Sequence, residues 1–309
     1  MKAITGRFAP SPSGRMHLGN IFTALMSWLS AKSTGGKWIL RIEDLDPQRS
    51  KPEFAHMIED DLHWLGLDWD EGGLDNLGEH GPYSQSQRHG IYKKYLDILA
   101  DRGLLYPCTC RRADILATQA PHQSDGRVIY QGTCRPADMP PFPAVDAEGK
   151  TLRLFVPDET ISFTDKICGV QSSNLRTDCG DFIVRRADGA WAYQLAVVID
   201  DALMGVTEVA RGNDLLLSTA QQLYLYRLFD LPEPQFAHLP LICNNEGRRL
   251  SKRDHSAGME ELRRNYTPEE LIGRLGHMAG LIPEPVAARP ADLLPNFSWS
   301  KLPETLRCP

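Results

Sequence analysis

Two short segments, far apart in this 309-residue chain, carry residue types that suit phosphate chemistry. Residues 12–20 are Pro-Ser-Gly-Arg-Met-His-Leu-Gly-Asn, and residues 249–253 are Arg-Leu-Ser-Lys-Arg. The imidazole of His17 and the amine of Lys252 can each stabilise negative charge that develops on phosphates. Either segment alone is commonplace, because His-x-Gly often starts an ordinary helix and Ser-Lys-Arg is often a solvated loop. Together they predict one nucleotide site assembled from both.

The first segment is expected at a turn between a strand and a helix. An apolar run at residues 3–8 precedes it, and apolar residues then recur at helical spacing from Ile21 to Leu29. The free N–H groups and the partial positive charge of a helix start attract anions. Gly14 and Gly19 would let a ligand approach the backbone closely.

The first hundred residues alternate strand and helix signals. A strand is predicted at residues 38–43, a helix after a capping box at residues 50–53, and another helix at residues 91–102. Such alternation predicts an α/β fold, with a parallel sheet covered by helices and ligands at the carboxyl ends of its strands. Arg7 and Glu43 would both lie at that edge.

The pattern changes at residue 106 to cysteines, turn residues and short apolar runs, which indicates an inserted domain. Strand signals return at residues 182–184 and 192–199, helices fit residues 214–229 and 267–277, and a proline-rich tail follows. Asn213 or Asp214 is the expected N-cap of the first of these helices. The predicted division is a catalytic half at 1–105, the insertion at 106–180, a second catalytic half at 181–245, and the lysine segment with a small helical region at 246–309.

Composition restricts the class of protein. Charged residues make up 24% and apolar residues 42%, which are ordinary globular values, and the net charge of −6 provides no overall basic field for nucleic acid. Any RNA contact must therefore be local. The start of the chain lacks the apolar core of a signal peptide, and no apolar run approaches membrane-spanning length. We expect a cytoplasmic protein with no membrane partner.

Three cysteines of the predicted insertion, Cys108, Cys110 and Cys134, have spacing that suits a metal site. Three thiolates are a good start to tetrahedral zinc coordination, and a reducing compartment disfavours disulfides. The metal would be structural, because an insertion of turns and short strands has little core of its own. A fourth ligand is open from the residues alone, and His122 is the ordinary candidate. The other cysteines, expected to be buried or surface thiols, are Cys168, Cys179, Cys243 and Cys308.

The two segments resemble the signature sequences of class I aminoacyl-tRNA synthetases. His-Leu-Gly-Asn at residues 17–20 stands for the "HIGH" element, and Arg-Leu-Ser-Lys-Arg stands for the "KMSKS" element with Arg249 in place of its first lysine. Four more segments are similar to the glutamyl branch of that class, at residues 7–11, 41–46, 197–201 and 209–214. The resemblance covers roughly residues 4–254.

This resemblance implies both a fold and a reaction. The fold would be a Rossmann-type parallel-sheet catalytic domain with an inserted zinc-containing subdomain and a short C-terminal helical region. The reaction would be attack of the glutamate α-carboxylate on the α-phosphorus of ATP, with Mg²⁺ accompanying the ATP and pyrophosphate leaving. His17 and Lys252 would be catalytic. The residues expected to bind ATP are His17, Gly19, Asn20 and Lys252.

A pocket for glutamate must match two carboxylates and an ammonium group. Arginine suits the carboxylates because its planar fork stays charged and binds them bidentately, and a carboxylate suits the ammonium. In the glutamyl branch, residues that match those of this chain line the amino-acid pocket. The expected glutamate-binding residues are Arg7, Phe8, Ala9, Pro10, Ser11, Glu43, Tyr193 and Arg211.

Only 57 residues follow Lys252, too few for a helical anticodon-binding domain. This short form and its cysteine pattern resemble the glutamyl-Q tRNA(Asp) synthetase family, which activates glutamate without tRNA and transfers it to queuosine in the anticodon of tRNA(Asp). In that family a tyrosine at the Tyr130 position completes the zinc site, so Tyr130 and His122 both remain candidates. The implied partners are L-glutamate, ATP and queuosine-bearing tRNA(Asp), with one structural Zn²⁺, and a monomer is expected.

Two alternative functions remain open. A truncated glutamyl-tRNA synthetase that charges tRNA(Glu) would also end early. A non-catalytic RNA-binding relic of a synthetase is less favoured, because it predicts loss of the charged residues expected in the ligand pocket, and His17, Glu43, Arg211 and Lys252 are all present.

Overall fold

Strands and helices alternate through the first hundred residues, as the sequence predicts. The computed structural model describes residues 2–110, 129–139, 149–240 and 258–303. The first elements are β1 (Thr5–Phe8), α1 (Leu18–Ser33), β2 (Lys37–Leu40), α2 (Pro52–Leu65), β3 (Glu71–Gly72), a 3-10 turn (Gln85–Gln87) and α3 (His89–Asp101). The three strands form a parallel sheet with β2 in the centre.

A second sheet lies beside the first. Its strands are β6 (Thr160–Asp165), β7 (Gly169–Asn174), β9 (Glu208–Gly212) and β10 (Gln235–Leu239), in the order β7-β6-β10-β9. Strand β10 pairs in parallel with both β6 and β9, and β7 is antiparallel to β6. The N–H of Thr207, just before β9, donates to the carbonyl of Thr5 over 2.9 Å. Strands β1 and β9 therefore lie side by side, and their carboxyl ends meet at one edge.

A third, smaller sheet is antiparallel and contains the strand that carries Cys108. Its strands are β4 (Leu105–Cys108), β5 (Thr151–Leu154) and β8 (Phe182–Arg185), in the order β4-β5-β8. A π-helical turn (Leu175–Cys179) precedes β8. The predicted domain limits stay a prediction. Two strand pairings cross the predicted limit at residue 180: β6, inside the predicted insertion, pairs with β10, and β8, beyond the insertion, pairs with β5.

Residues 193–199 are helical, so the strand predicted at residues 192–199 is wrong. They lie in α4 (Tyr193–Leu203), which is buried along most of its length and ends near two buried acids, Asp200 and Asp201. A short apolar run has the same composition in a buried strand and in a buried helix, so periodicity does not separate the two.

Both predicted N-terminal caps in the catalytic region are also wrong. Lys51 is the N-cap of α2 and makes no side-chain capping bond, so residues 50–53 form no capping box. The helix predicted at residues 214–229 is divided into a 3-10 segment (Asn213–Ser218) and α5 (Thr219–Leu228), and no side chain caps either piece.

Three helices follow in the C-terminal region, α6 (Met259–Asn265), α7 (Pro268–Met278) and α8 (Pro290–Leu293), with 3-10 turns at Leu294–Asn296 and Trp299–Lys301. Thr267 caps α7 in a capping box with Glu270, which confirms the predicted helix start. The apolar faces of these helices join the core that also contains α1 and β2. In the described part of the chain, no helix combines the length and the apolar character that crossing a bilayer requires.

Asp61 in α2 connects the C-terminal helices to the loop before α1. Its side chain is fully buried, forms an ion pair with Arg263 of α6 at 2.7 Å and accepts a hydrogen bond from Arg15 at 3.3 Å. Burial raises the pKa of Asp61, against the opposing effect of the two guanidinium groups. The neighbouring Asp60 is exposed and contacts the same Arg263 at 2.8 Å. The two acids thus provide a buried and an exposed partner for one cation.

Asp61→Asn should lower the free energy of unfolding by about 3 kcal/mol, because Arg263 and Arg15 would lose their buried counter-charge. Asp60→Asn is the matched control and should cost less than about 1 kcal/mol, because exposed ion pairs contribute little. Urea unfolding at neutral pH measures both. Equal losses in the two variants would contradict the anchoring role of Asp61.

Candidate active site

A cavity of about 620 Å³ opens at the carboxyl ends of β1 and β9. Its lining includes every predicted glutamate- or ATP-binding residue that the structure describes. These are Arg7, Phe8, Ala9, Pro10, Ser11, His17, Gly19, Asn20, Glu43, Tyr193 and Arg211. They come from β1 and its loop, the start of α1, the segment after β2, the start of α4 and the end of β9. Lys252 and Arg249 lie outside the described residues.

His17 is the N-cap of α1 and lines this cavity. Its Nδ1 accepts a hydrogen bond from the Gly19 N–H at 3.1 Å, and the backbone N–H of His17 donates to the Asn20 side chain at 3.1 Å. Because Nδ1 is an acceptor, the proton of the neutral ring is on Nε2. A methyl group at Gly19 would lie only 3.1 Å from the ring. The predicted turn between strand and helix is confirmed, and it fixes the orientation of the imidazole.

Both ends of the segment that carries Lys252 lie at the cavity. Pro240, on one side of it, is a lining residue. On the other side, Gly258 forms an antiparallel bridge with His17, and the Met259 N–H donates to the Met16 carbonyl at 3.1 Å. The approach of Lys252 to His17 stays a prediction, and this anchoring of the flanking residues supports it.

Asp201 of α4 joins two arginines beneath the cavity. It accepts hydrogen bonds from Arg7 Nε at 3.2 Å and from Arg41 Nη1 at 2.7 Å. Arg41 also pairs with Glu43 at 3.1 Å. Burial acts to raise the pKa of Asp201, but the two guanidinium groups hold it below its usual value. Burial raises the pKa of Glu43 in spite of Arg41. Arg7 and Arg41 therefore have counter-charges within the protein.

Asp200, the preceding residue, also approaches Arg41, with its carboxylate 3.8 Å from Arg41 Nε, but its hydrogen bonds go to other elements. Its carboxylate accepts hydrogen bonds from Arg88 at 2.6 Å, from Gln85 at 2.7 Å and from the Tyr92 hydroxyl at 2.8 Å. These contacts fasten α4 to α3 and the turn before it. The position of Asp201 under the cavity is fixed by this attachment.

Arg211 at the end of β9 is held differently. Its Nε donates to His238 Nε2 at 3.0 Å, its Nη1 to Gln222 at 2.7 Å and its Nη2 to the Thr219 hydroxyl at 2.9 Å. Among the described residues, no carboxylate lies within ion-pair distance of it, although only 4% of its surface is exposed. Burial lowers the pKa of Arg211. A buried cation whose hydrogen-bond partners are uncharged favours an anionic ligand.

Tyr193 begins α4 and lines the same cavity. Burial raises the pKa of its hydroxyl, and the nearby charge of Glu43 raises it further. The phenol is therefore protonated at neutral pH and can donate a hydrogen bond to a ligand.

No role is predicted from the sequence for Arg41, Asp201 or His238. The sequence does contain a signal for Arg41 and Asp201. Arg41 and Glu43 are two positions apart beside a strand, so their side chains can lie on the same side, and the apolar run of α4 ends in two acids that would need partners if buried. No local signal marks His238, whose partners lie on β6, β9 and α5.

A second candidate site lies beside β4. The Sγ atoms of Cys108, Cys110 and Cys134 all lie within 4.8 Å of one another, and the last two are 3.4 Å apart. Tetrahedral zinc with Zn–S bonds of about 2.3 Å separates its sulfur ligands by about 3.8 Å, so the three thiols fit this ion. The Tyr130 hydroxyl lies 3.5 Å from Cys108 Sγ and 3.9 Å from Cys110 Sγ. His122 lies outside the described residues.

The surroundings of the thiol cluster hold Tyr130 in place. The guanidinium of Arg153 lies 3.7 Å from the centre of the Tyr130 ring and donates to the Asp181 carbonyl at 2.8 Å. The buried Asp181 carboxylate also accepts a two-point contact from Arg135, at 2.6 and 2.8 Å, and a hydrogen bond from Tyr106 at 2.5 Å. The Tyr130 hydroxyl thus has a fixed position next to the sulfur atoms.

The remaining described cysteines differ from each other. Cys179 is a thiol, as expected. Cys168 is disulfide-bonded, so the expectation of a thiol there is wrong. Cys243 and Cys308 lie outside the described residues.

Comparisons with known proteins agree on one family. The sequence profile described as "tRNA synthetases class I (E and Q), catalytic domain" matches residues 3–283. A relative from Symbiobacterium thermophilum, named glutamyl-Q tRNA(Asp) synthetase, is 49% identical and aligns with 99% of this chain and 96% of its own length. A protein of the same name from Nitratidesulfovibrio vulgaris is 44% identical, over 97% of this chain and 94% of its own.

A solved structure shows the same fold. The crystal structure of a glutamate tRNA ligase from Elizabethkingia meningosepticum in complex with its amino acid superposes with a TM-score of 0.83 at 30% identity. The match covers 99% of this chain and 67% of that one.

The two buried arginines should respond differently to loss of charge. Arg41→Gln should lower the free energy of unfolding by about 3 to 5 kcal/mol, because Glu43 and Asp201 lose a buried counter-charge. Arg211→Gln should change it by less than about 1 kcal/mol, because the lost hydrogen bonds are offset by removal of a buried charge without a carboxylate partner among the described residues. Urea unfolding without ligand measures both. A loss in Arg211→Gln as large as in Arg41→Gln would refute this difference.

Proposed function

This chain belongs to the class I aminoacyl-tRNA synthetases, in the group of the glutamate and glutamine enzymes, and we propose that it activates L-glutamate with ATP. One observation carries the proposal. A single cavity contains Arg211, whose charge is matched by no carboxylate among the described residues, the carboxylate of Glu43, and the helix start at His17. Cations for carboxylates, an acid for an ammonium and a phosphate-binding helix start are what glutamate and ATP together require.

Glutamate would be held by charge complementarity. Arg211 keeps N–H groups on both Nη atoms beyond those that donate to Gln222 and Thr219, so its fork can meet a carboxylate. Arg7 adds a second guanidinium, and Glu43 is placed to accept the ammonium. Tyr193 would donate from its protonated hydroxyl, and the loop after β1 would form the remaining wall through Phe8, Ala9, Pro10 and Ser11.

ATP would lie at the start of α1, where His17 Nε2–H, Gly19 and Asn20 line the cavity. The glutamate α-carboxylate would attack the α-phosphorus, with pyrophosphate leaving from the opposite side. No covalent enzyme intermediate is required, so His17 and Lys252 would act by holding the reactants in line and by neutralising charge on the phosphates. Mg²⁺ bound with ATP would supply further neutralisation of the phosphates.

The acceptor that we propose is the queuosine base in the anticodon of tRNA(Asp). A ring hydroxyl of the queuosine base would attack the carbonyl carbon of the glutamyl-adenylate. The hydroxyl would lose its proton, and AMP would leave. Two relatives aligned over nearly the whole chain carry the name of that reaction, which supports this choice. Activation would need no tRNA, and the enzyme would act as a cytoplasmic monomer. Charging of tRNA(Glu) is the second candidate, because the solved structure with the same fold is a glutamate tRNA ligase.

Pyrophosphate exchange into ATP should depend on L-glutamate and proceed without tRNA, and ¹⁴C-glutamate should then transfer to tRNA(Asp) that carries queuosine. The same tRNA without queuosine is the matched control and should remain unlabelled. Lys252→Ala should slow exchange by a factor of about 100 or more, because it removes positive charge from the transition state, whereas Lys93→Ala on the exposed face of α3 should not. Labelling of tRNA(Glu) alone would favour the second candidate.

We further propose that the thiol cluster binds one structural Zn²⁺ through Cys108, Cys110, Cys134 and Tyr130. The fit of the three sulfur atoms to a tetrahedral ion supports zinc, and the fixed hydroxyl supports tyrosine over His122 as the fourth ligand. A bound ion would join β4 to the residues around Cys134 and stabilise a region with a small core of its own.

Metal analysis of the purified protein should find one zinc per chain. Cys134→Ser should lose it and increase proteolysis near the thiol cluster, because a serine hydroxyl is a much poorer zinc ligand than a thiolate. Cys179→Ser, at a cysteine outside the cluster, should keep the zinc. A zinc-free parent protein would exclude the proposed site.

A further inference from the structure

A chain of buried hydrogen bonds leads from Asp165 to Arg211. Asp165 at the end of β6 contacts His238 Nδ1 of β10 at 2.7 Å, and His238 Nε2 contacts Arg211 Nε of β9 at 3.0 Å. All three side chains are buried, with exposed fractions of 2%, 0% and 4%. Because β6, β10 and β9 are adjacent strands, the chain crosses the sheet and ends at the cavity.

The two outer partners determine which nitrogen of His238 carries the proton. Burial acts to raise the pKa of Asp165, but the hydrogen bonds that it accepts from His238 and from backbone N–H groups keep it below its usual value. The resulting carboxylate only accepts hydrogen bonds, so Nδ1 must donate. Arg211 only donates, so Nε2 must accept. The ring is therefore neutral, in agreement with the burial that lowers the pKa of His238.

The His238 imidazole lies between the Asp165 carboxylate and the Arg211 guanidinium. These two charged groups would form an ion pair if they were in direct contact. Arg7 shows the direct arrangement, since its Nε donates to Asp201. At Arg211 the imidazole ring of His238 stands between the guanidinium and the negative charge of Asp165. The hydrogen bond from Arg211 Nε to this ring orients the guanidinium. No carboxylate of the described residues then competes for the Nη groups. Neither Asp165 nor His238 is among the residues that line the cavity.

We propose that His238, held in one tautomer by Asp165, is a positioning residue that directs Arg211 toward a carboxylate of the amino-acid substrate. The inference rests on the proposed function, because it takes glutamate as the ligand of Arg211. It assigns the Asp165–His238 pair to amino-acid affinity and assigns it no part in ATP binding or in the chemical step.

Two amide substitutions separate the hydrogen bonds of the ring. In His238→Asn, the amide can donate to Asp165 from near the Nδ1 position, but the acceptor for Arg211 is lost. In His238→Gln, the amide oxygen can accept from Arg211 near the Nε2 position. We expect His238→Asn to raise the KM for glutamate about tenfold or more, the usual effect of losing one charge-assisted hydrogen bond. His238→Gln should raise it less than about threefold, and both should leave kcat and the KM for ATP within about twofold.

A double-mutant cycle tests whether His238 acts through Arg211. Adding His238→Asn to Arg211→Lys should raise the KM for glutamate less than about twofold beyond Arg211→Lys alone, because the contact is already lost. Asp165→Asn is a second route to the same effect if His238→Asn does not fold. It removes the carboxylate that holds the proton on Nδ1, and it should also raise the KM for glutamate.

The outcomes of these measurements are distinct. A parent enzyme without glutamate-dependent exchange would overturn the proposed function and this inference with it. An active parent with an unchanged KM for glutamate in His238→Asn, or with full additivity in the cycle, would overturn this inference alone. Equal losses in His238→Asn and His238→Gln, with kcat falling in both, would show general damage to the fold and would also overturn it.

Discussion

The burial of positive charge beneath the cavity is the constraint on which the surrounding structure depends. Arg7 lies on β1 and Arg41 directly follows β2, and a guanidinium in a low-dielectric interior is unfavourable unless its charge is matched. Asp201 matches both. Asp200, the preceding residue of α4, approaches Arg41 at 3.8 Å and attaches the helix to α3 through its hydrogen bonds. The helix that packs against the strands thereby also supplies their counter-charge.

Arg211 departs from this rule, and under the proposed function the departure would make the site selective for an anionic ligand. Its hydrogen-bond partners in the described structure are a neutral ring, an amide and a hydroxyl. A ligand carboxylate would complete the charge balance, whereas a neutral amide in the same place would leave the buried cation unmatched. Selection by an unmatched polar group is stronger than selection by shape alone, since the wrong ligand fails to replace the hydration that the site has lost.

The sequence predicts the site better than it predicts the elements that hold it. The residues around His17 and Arg211 belong to short local signatures, and the rule for parallel strand ends predicts that such segments meet. The conformation of α4 was not predictable, because a buried helix and a buried strand can share one apolar composition. The link between Asp165 and His238 depends on the pairing of β6 with β10, which brings together residues 73 positions apart without a pattern in either segment.

The bridge between His17 and Gly258 has a further consequence for Lys252. Lys252 is six positions before Gly258 of that bridge, so the length of the chain alone keeps its backbone within about 22 Å of Gly258. A tethered group confined in this way has a local concentration in the millimolar range or above, whatever path the intervening residues take. Under the proposed function, the amine would thus be supplied to the triphosphate as a resident counter-ion that does not have to be recruited from solution.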